Sequence, residues 1–207
     1  MRCAPPGLRP VLSASKIGGR VLPVRHVGSV DIFLEVFEQT EPGDVMVVDN
    51  GGRLDEACVG DLVVLEAQAA GLRGIVIWGL HRDTTDILKI GLPVFSLGHL
   101  PTGPQRLDAR PSDALDSARV GDWVVSRQDI ALADEDGVIF IPKAQVAEIF
   151  AVAEKIRDTE RGQAERMRAG VSLRRQTQFE TYLANRKKSP SLTFRQHLRA
   201  VSGAIEE

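Results

Sequence analysis

The sequence predicts an α/β fold with parallel strands at its centre, and three observations lead there. Between Met46 and Leu97, short β-branched apolar runs (Val45–Val48, Ile75–Trp78, Leu92–Leu97) alternate with stretches of helical spacing (Asp61–Ala70 and Asp83–Ile90). Each helical stretch stops at a glycine, Gly71 or Gly91, as a left-handed C′ residue stops a helix. Strand, helix, strand, helix, strand in that order favours parallel pairing through right-handed crossovers.

The remaining elements follow in chain order. Residues 1–18, rich in Pro, Gly, Ser and basic side chains, read as loop or poorly ordered chain. Arg20–Val27 reads as a strand that Pro23 would confine to a sheet edge. Asp31–Gln39 places Ile32, Phe33, Val36 and Phe37 on one helical stripe, with Asp31 as the cap. Glu41–Asp44 is a turn, and Arg53–Val59 a short helical approach to Gly60. From Gly98 to Val120 three prolines and no long apolar run predict a wandering surface segment with short strands. Trp123–Val125 is a strand, and Ile130–Ala133 and Val138–Ile141 form a hairpin across an acidic, glycine-ended turn.

After Lys143 the period becomes helical, with Val146, Ile149, Phe150, Ala153 and Ile156 on one stripe. Asp158–Arg168 is mostly charged, Gly170 interrupts, and Phe179, Tyr182 and Leu183 mark another helix. Arg186–Pro190 reads as a loop, and Thr193 as the cap of a last helix reaching about Val201. The division is a core over 1–156 and a helical C-terminal extension over 157–207, too polar to fold alone.

Composition narrows the function. The 207 residues suit one ordinary domain with an extension, and 43% hydrophobic content supports a core. A net charge of −2 supplies no global field toward nucleic acid or acidic lipid, so neither is an expected partner. No apolar run approaches the length of a bilayer span, and the N-terminus lacks the apolar stretch of a secretory signal. Cys3 and Cys58 make neither a disulfide framework nor a zinc site. A cytoplasmic, reduced protein is expected.

Chemistry is expected where Ile75–Trp78 ends, at Arg82-Asp83, because α/β proteins place ligands at the carboxyl ends of parallel strands. Asp83-Thr84-Thr85-Asp86 fits a helix cap, so Asp83 has a structural reading. Beside Arg82 it has a second, compatible one. A guanidinium is a fixed donor fork for a carboxylate or a developing oxyanion, and a neighbouring carboxylate can hold a hydrated divalent cation. Gly60-Asp61 is the other candidate: glycine permits close approach, and a helix start offers free N–H groups to a small anion. Asp61 alone also reads as a first-turn acid matching the helix dipole. His81 is read as packing or solvent-facing. His26, His99 and His197 are not at metal-ligand spacing and receive no role.

Six blocks in order resemble one family: PGDVMVVDNGG (42–52), VGDL (59–62), GIVIWGLHRDTTDI (74–87), GLPVFSLG (91–98), GDWVV (121–125) and DEDGVIFIP (134–142). Over about 19–156 the chain resembles the RraA-like family of 4-hydroxy-4-methyl-2-oxoglutarate aldolases, oxaloacetate decarboxylases and regulators of ribonuclease E. The resemblance implies a swivelling β/β/α domain with a mixed sheet, assembled as a homotrimer or hexamer with sites between subunits. It implies that Arg82 binds the 2-oxo acid and stabilises the enolate. Mg²⁺ or Mn²⁺ would be held by Asp83 and, through water, by Asp61. Gly60, Leu62 and Val63 would present backbone to the pyruvyl carboxylate. It also implies an acidic residue from a neighbour's C-terminal helix, for which Glu154 and Glu160 are candidates without a fixed register.

Two departures stand out. The family's first helix has no counterpart, which would alter the N-terminal layer, and His81 replaces the small apolar residue expected before Arg82, which would alter substrate access. The expected function is a metal-dependent pyruvate lyase acting on a small 2-oxo acid by aldol cleavage or decarboxylation. The alternative is a non-catalytic protein-binding regulator of an RNA-processing enzyme. Retention of Asp83 after Arg82 favours the enzyme.

Overall fold

The computed structural model describes residues 1–201, which divide into two compact units, one over 1–144 and a second beginning at Gln145. The first contains strands β1 (Arg2–Cys3), β2 (Arg9–Pro10) and β3 (Ile17–Arg25), helix α1 (Asp31–Phe37), β4 (Val45–Asp49) and β5 (Ala57–Val59). It continues through α2 (Asp61–Ala69), β6 (Gly74–Trp78), β7 (Leu80–His81), α3 (Thr84–Ile90) and β8 (Val94–Ser96). It closes with β9 (Ser117–Val120), β10 (Trp123–Ser126), β11 (Asp129–Asp134) and β12 (Gly137–Pro142).

Eight of these strands form one mixed sheet in the order β1-β12-β11-β3-β4-β6-β8-β2. Its centre, β3-β4-β6-β8, is parallel, and the flanking pairs are antiparallel. The predicted alternation β4, α2, β6, α3, β8 is thus the parallel part, and the implied mixed sheet is present. Alternation along the strands fills both faces. Leu22, Val24, Met46, Val48, Ile75 and Ile77 join one buried cluster with Ile32, Phe33 and Val36 of α1 and Val63, Val64 and Ala67 of α2. Val21, Val45, Val47, Val76 and Phe95 join the other, with Val120, Val125 and Phe140. Strands buried on both faces explain why their sequences are continuous apolar runs.

Several expectations are corrected. Residues 1–18 are not merely loop: β1 pairs with β12, β2 with β8, and β3 begins at Ile17. Nor is Pro23 at an edge, because β3 lies between β11 and β4. β3 pairs with β11 through Ile17–Arg20 and with β4 through Val21–Arg25. The Arg25 N–H leaves the β4 ladder to donate to Ala114 O at 2.8 Å. Pro23, two residues earlier, turns its nitrogen to that same side, so its missing N–H breaks no ladder bond. Asp31 is the first helical residue of α1, whose cap position is Val30 with no side-chain hydrogen bond. Arg53–Val59 is not helical. Its last three residues are β5, held by the pairing with β7 and by Ala57 N–H donating to Thr102 O at 2.8 Å.

The second unit contains α4 (Val146–Arg168), α5 (Leu173–Gln176), α6 (Phe179–Lys188) and α7 (Phe194–Ala200). α4 runs unbroken through position 156. Arg186–Lys188 are the last turn of α6 instead of a loop, where cations suit the negative end of the helix dipole. Thr193 does cap α7, in a reciprocal box with Gln196. Within this unit Phe179, Tyr182, Phe194 and His197 form an aromatic cluster with ring centroids 5.0–6.0 Å apart. The His197 Nε2–H donates to Thr177 O at 2.8 Å. No helix among the described residues is long and apolar enough to cross a membrane.

Candidate active site

The site forms where one short parallel ladder brings two loops together. β5 and β7 pair with Ala57 opposite Leu80 and Val59 opposite His81, and the Arg82 N–H donates to Val59 O at 2.9 Å. The chain then leaves β5 at Gly60, into α2, and leaves β7 at Arg82-Asp83, into α3. Gly60 has an ordinary extended backbone (φ −123°), so its need for glycine is steric. A Cβ there would lie 2.5 Å from Asp83 Oδ2 and 3.0 Å from Arg82 Nε. Gly60, Asp61, Arg82 and Asp83, predicted from separate blocks, are therefore neighbours.

Asp83 does not cap α3 with its side chain, which corrects the capping expectation. Its backbone is left-handed (φ +60°, ψ +38°), whereas a side-chain cap needs an extended residue. Aspartate is among the few residues that tolerate this region. The carboxylate instead meets the other loop: Oδ2 lies 3.3 Å from Arg82 Nε and accepts the Asp61 N–H at 3.5 Å. Oδ1 accepts no hydrogen bond from a described residue. The side chains of Arg82 and Asp83 are 47% and 38% exposed. An ion pair that wet stabilises a fold by only about 0–1 kcal/mol, so it contributes more as presented charge than as a brace.

Asp61 Oδ1 accepts the Leu62 N–H at 2.8 Å, which engages one of the two amides expected to face an anion. Leu62 projects its side chain outward and Val63 is buried. Gly60, Asp61, Leu62, Val63 and Arg82 line a cavity of about 270 Å³, together with His26, Cys58 and Pro104.

His81 is elsewhere. It is buried, with Nδ1 2.8 Å from Ser96 Oγ and Nε2 3.0 Å from Thr84 Oγ1. It lines a separate cavity with Ser96 and His99, so it does not narrow the cavity beside Arg82. Burial, then the neighbouring His99, pushes its pKa down.

The sequence offered no signal for a buried polar network behind the cavity. Asn50 and Glu56 are fully buried. Asn50 Oδ1 receives the Arg106 Nη2–H at 3.0 Å and lies 2.9 Å from His26 Nδ1. Glu56 accepts from Arg106 Nε at 3.1 Å and from the Gln105 N–H at 2.9 Å, with Arg53 Nε at 3.4 Å. Burial raises the Glu56 pKa, but the Gln105 N–H and the Arg106 guanidinium outweigh it and hold the carboxyl below its usual range. Arg106 lies in the wandering segment and His26 just after β3, positions with no local motif.

The carboxylates suit a hard divalent cation that keeps much of its water. Asp83 offers Oδ1 and Asp61 a second oxygen donor, as magnesium sites commonly need. No three His, Cys, Asp or Glu side chains cluster as a protein-only cage among the described residues.

A family model described as RraA-like, aldolase/RraA, matches residues 1–140. The chain belongs to the RraA-like family. A curated relative from Alcanivorax borkumensis, provisionally named 4-hydroxy-4-methyl-2-oxoglutarate aldolase, is 30% identical over 129 residues, 62% of this chain and 79% of that protein. Among solved structures, an uncharacterized protein from Pseudomonas syringae pv. tomato DC3000 superposes with TM-score 0.71 and 25% identity, covering 84% of each chain. The RNA-processing inhibitor RraA from Thermus thermophilis superposes with TM-score 0.60 and 26% identity, covering 68% of this chain and 85% of that one. The RraA-like match lies wholly within the first compact unit, as does every residue of the cavity.

Proposed function

We propose that this RraA-like protein is a divalent-metal-dependent pyruvate lyase that cleaves a C–C bond of a small 2-oxo acid. The observation that carries the proposal is the approach of the Arg82-Asp83 loop to the start of α2, so close that a Cβ at position 60 would displace the Asp83 carboxylate. In support of this reading, Arg82, Asp61 and the first residues of α2 line one cavity, and Asp83 Oδ2 accepts the Asp61 N–H beside it at 3.5 Å. Curated relatives provisionally named 4-hydroxy-4-methyl-2-oxoglutarate aldolases support the substrate class.

In this reading Asp83, with Asp61 beside it, would hold Mg²⁺ or Mn²⁺. The cation, when bound, supplies Lewis-acid polarisation of the 2-oxo group. Arg82 binds the pyruvyl part of the substrate and stabilises the enolate charge that appears as the bond breaks. The amides at the start of α2 receive the substrate carboxylate, with the positive end of the helix dipole behind them. The chain works as a trimer or hexamer.

Pyruvate release from oxaloacetate and from 4-hydroxy-4-methyl-2-oxoglutarate tests this, with Mg²⁺, Mn²⁺ or EDTA and beside Arg82→Ala. Release above the metal-only rate, abolished by EDTA and by the substitution, is expected. A folded protein inactive on both substrates would refute it. The similarity to the Thermus RNA-processing inhibitor supports a second reading, a metal-independent protein-binding regulator. Retained binding to an RNA-processing enzyme in EDTA, without pyruvate release, would favour that reading.

A further inference from the structure

His26 has no part in the site expected from the sequence, yet it lines the same cavity as Arg82, Asp61 and Gly60. Its protonation follows from its neighbours. Arg106 can only donate, so the Asn50 atom at 3.0 Å from Arg106 Nη2 must be the amide oxygen. That same oxygen lies 2.9 Å from His26 Nδ1, which must therefore carry the proton and donate it. In the neutral ring Nε2 then bears the lone pair. Nε2 has no hydrogen-bond partner among the described residues, and the residue, only 2% exposed, lines the cavity wall. The ring is held in place by stacking on Phe33, with centroids 5.4 Å apart and planes 9° from parallel.

We propose that His26 Nε2 is the proton acceptor for aldol cleavage in this cavity, a role that rests on the lyase reading above. The substrates it serves are 2-oxo acids bearing a hydroxyl at C4. Nε2 takes the C4 hydroxyl proton, the O–H pair becomes the C4 carbonyl, and the C3–C4 bond breaks. Its electron pair enters the C2–C3 enolate. The proton returns from Nε2 to C3, giving pyruvate and the second carbonyl product with no net proton change and no redox step.

Oxaloacetate decarboxylation is different. Its C3–C4 bond breaks with loss of CO₂ from a carboxylate already ionised, so no hydroxyl proton has to be removed, and solvent can protonate the enolate. His26 therefore separates the two reactions. The charged groups around the ring are Arg106 and Glu56 beyond Asn50, Asp31 of α1, and Arg82 and Asp61 on the cavity wall. Burial lowers the His26 pKa, and Arg106 adds to the lowering against Asn50, Glu56 and Asp31, which keeps the ring in its base form near neutrality.

The test compares His26→Asn with wild type on both substrates, with pH profiles of the metal-loaded wild-type protein beside it. Asparagine keeps a donor for Asn50 Oδ1 but has no base. Cleavage of 4-hydroxy-4-methyl-2-oxoglutarate should fall by about 10²–10⁴-fold, while oxaloacetate decarboxylation changes only about 3-fold or less. In the wild type, aldol kcat/KM should show an acid limb below about pH 6.5 that decarboxylation lacks. This second measurement decides the matter if the variant does not fold. Equal losses in both reactions, unchanged aldol cleavage, or one acid limb shared by both would overturn the proposal. A wild type inactive on both substrates would overturn the lyase reading, and the role of His26 with it.

Discussion

Oδ2 of Asp83 lies 2.5 Å from where a Cβ on Gly60 would stand, although 22 residues of chain separate the two positions. No local rule links them. The β5–β7 ladder makes them neighbours, and it holds Arg82 by its backbone N–H at the same point.

Gly60→Ala should therefore injure the site more than the fold. Its backbone is open to alanine, so the melting temperature should drop by only a few degrees, about 1 kcal/mol or less. The methyl displaces the Asp83 carboxylate and Arg82 Nε, and metal-dependent pyruvate release should fall at least about 10-fold. Calorimetry beside a pyruvate assay separates the two effects.

Asp83→Asn should leave the fold intact and remove metal-dependent turnover. The side chain makes no cap to α3, and asparagine accepts the same left-handed backbone. Thermal unfolding within about 3 °C of wild type, with activity lost at least about 100-fold, is the expected pair of results. Asp83→Ala should melt lower than Asp83→Asn, since alanine tolerates that backbone less well.

Glu56→Gln tests the network behind the cavity. At neutral pH it leaves Arg106 and Arg53 without their buried anion and should cost about 3 kcal/mol, read by denaturant unfolding. The pH dependence has a definite sign. The folded pKa of Glu56 is depressed, so its contribution is present above the unfolded value of about 4.3 and is lost as pH falls through the folded value. The stability gap between wild type and Glu56→Gln should narrow over that acid window and stay constant above it.

Thr193→Ala removes the capping box at the start of α7. A loss of about 1 kcal/mol, visible as faster amide exchange in α7, is expected, with pyruvate release unchanged.

The amino-acid order by itself determined the parallel centre of the fold. Runs such as Val45–Val48 and Ile75–Trp78 can bury both faces, and Gly71 and Gly91 stop the helices between them, with φ of +83° and +79°. It also placed the β11–β12 hairpin and the Thr193 cap, because turns and caps are decided by residues a few positions apart. The six ordered blocks were enough to indicate the RraA-like family and to name Gly60, Asp61, Arg82 and Asp83.

Tertiary structure decided the rest. Pro23 is tolerated inside the sheet only because β3 changes partners at Val21, a fact about other strands. Arg53–Val59 has no strong strand pattern of its own, and β7 makes its end a strand. Asp83 matches a cap by spacing, yet its left-handed backbone turns the carboxylate to Gly60 instead. His26, Asn50, Glu56 and Arg106 come from four separate stretches of chain, and each is unremarkable where it stands in the sequence. Buried polar atoms must find partners wherever the fold brings them, and those partners are set by distance in space, which one-dimensional spacing does not carry.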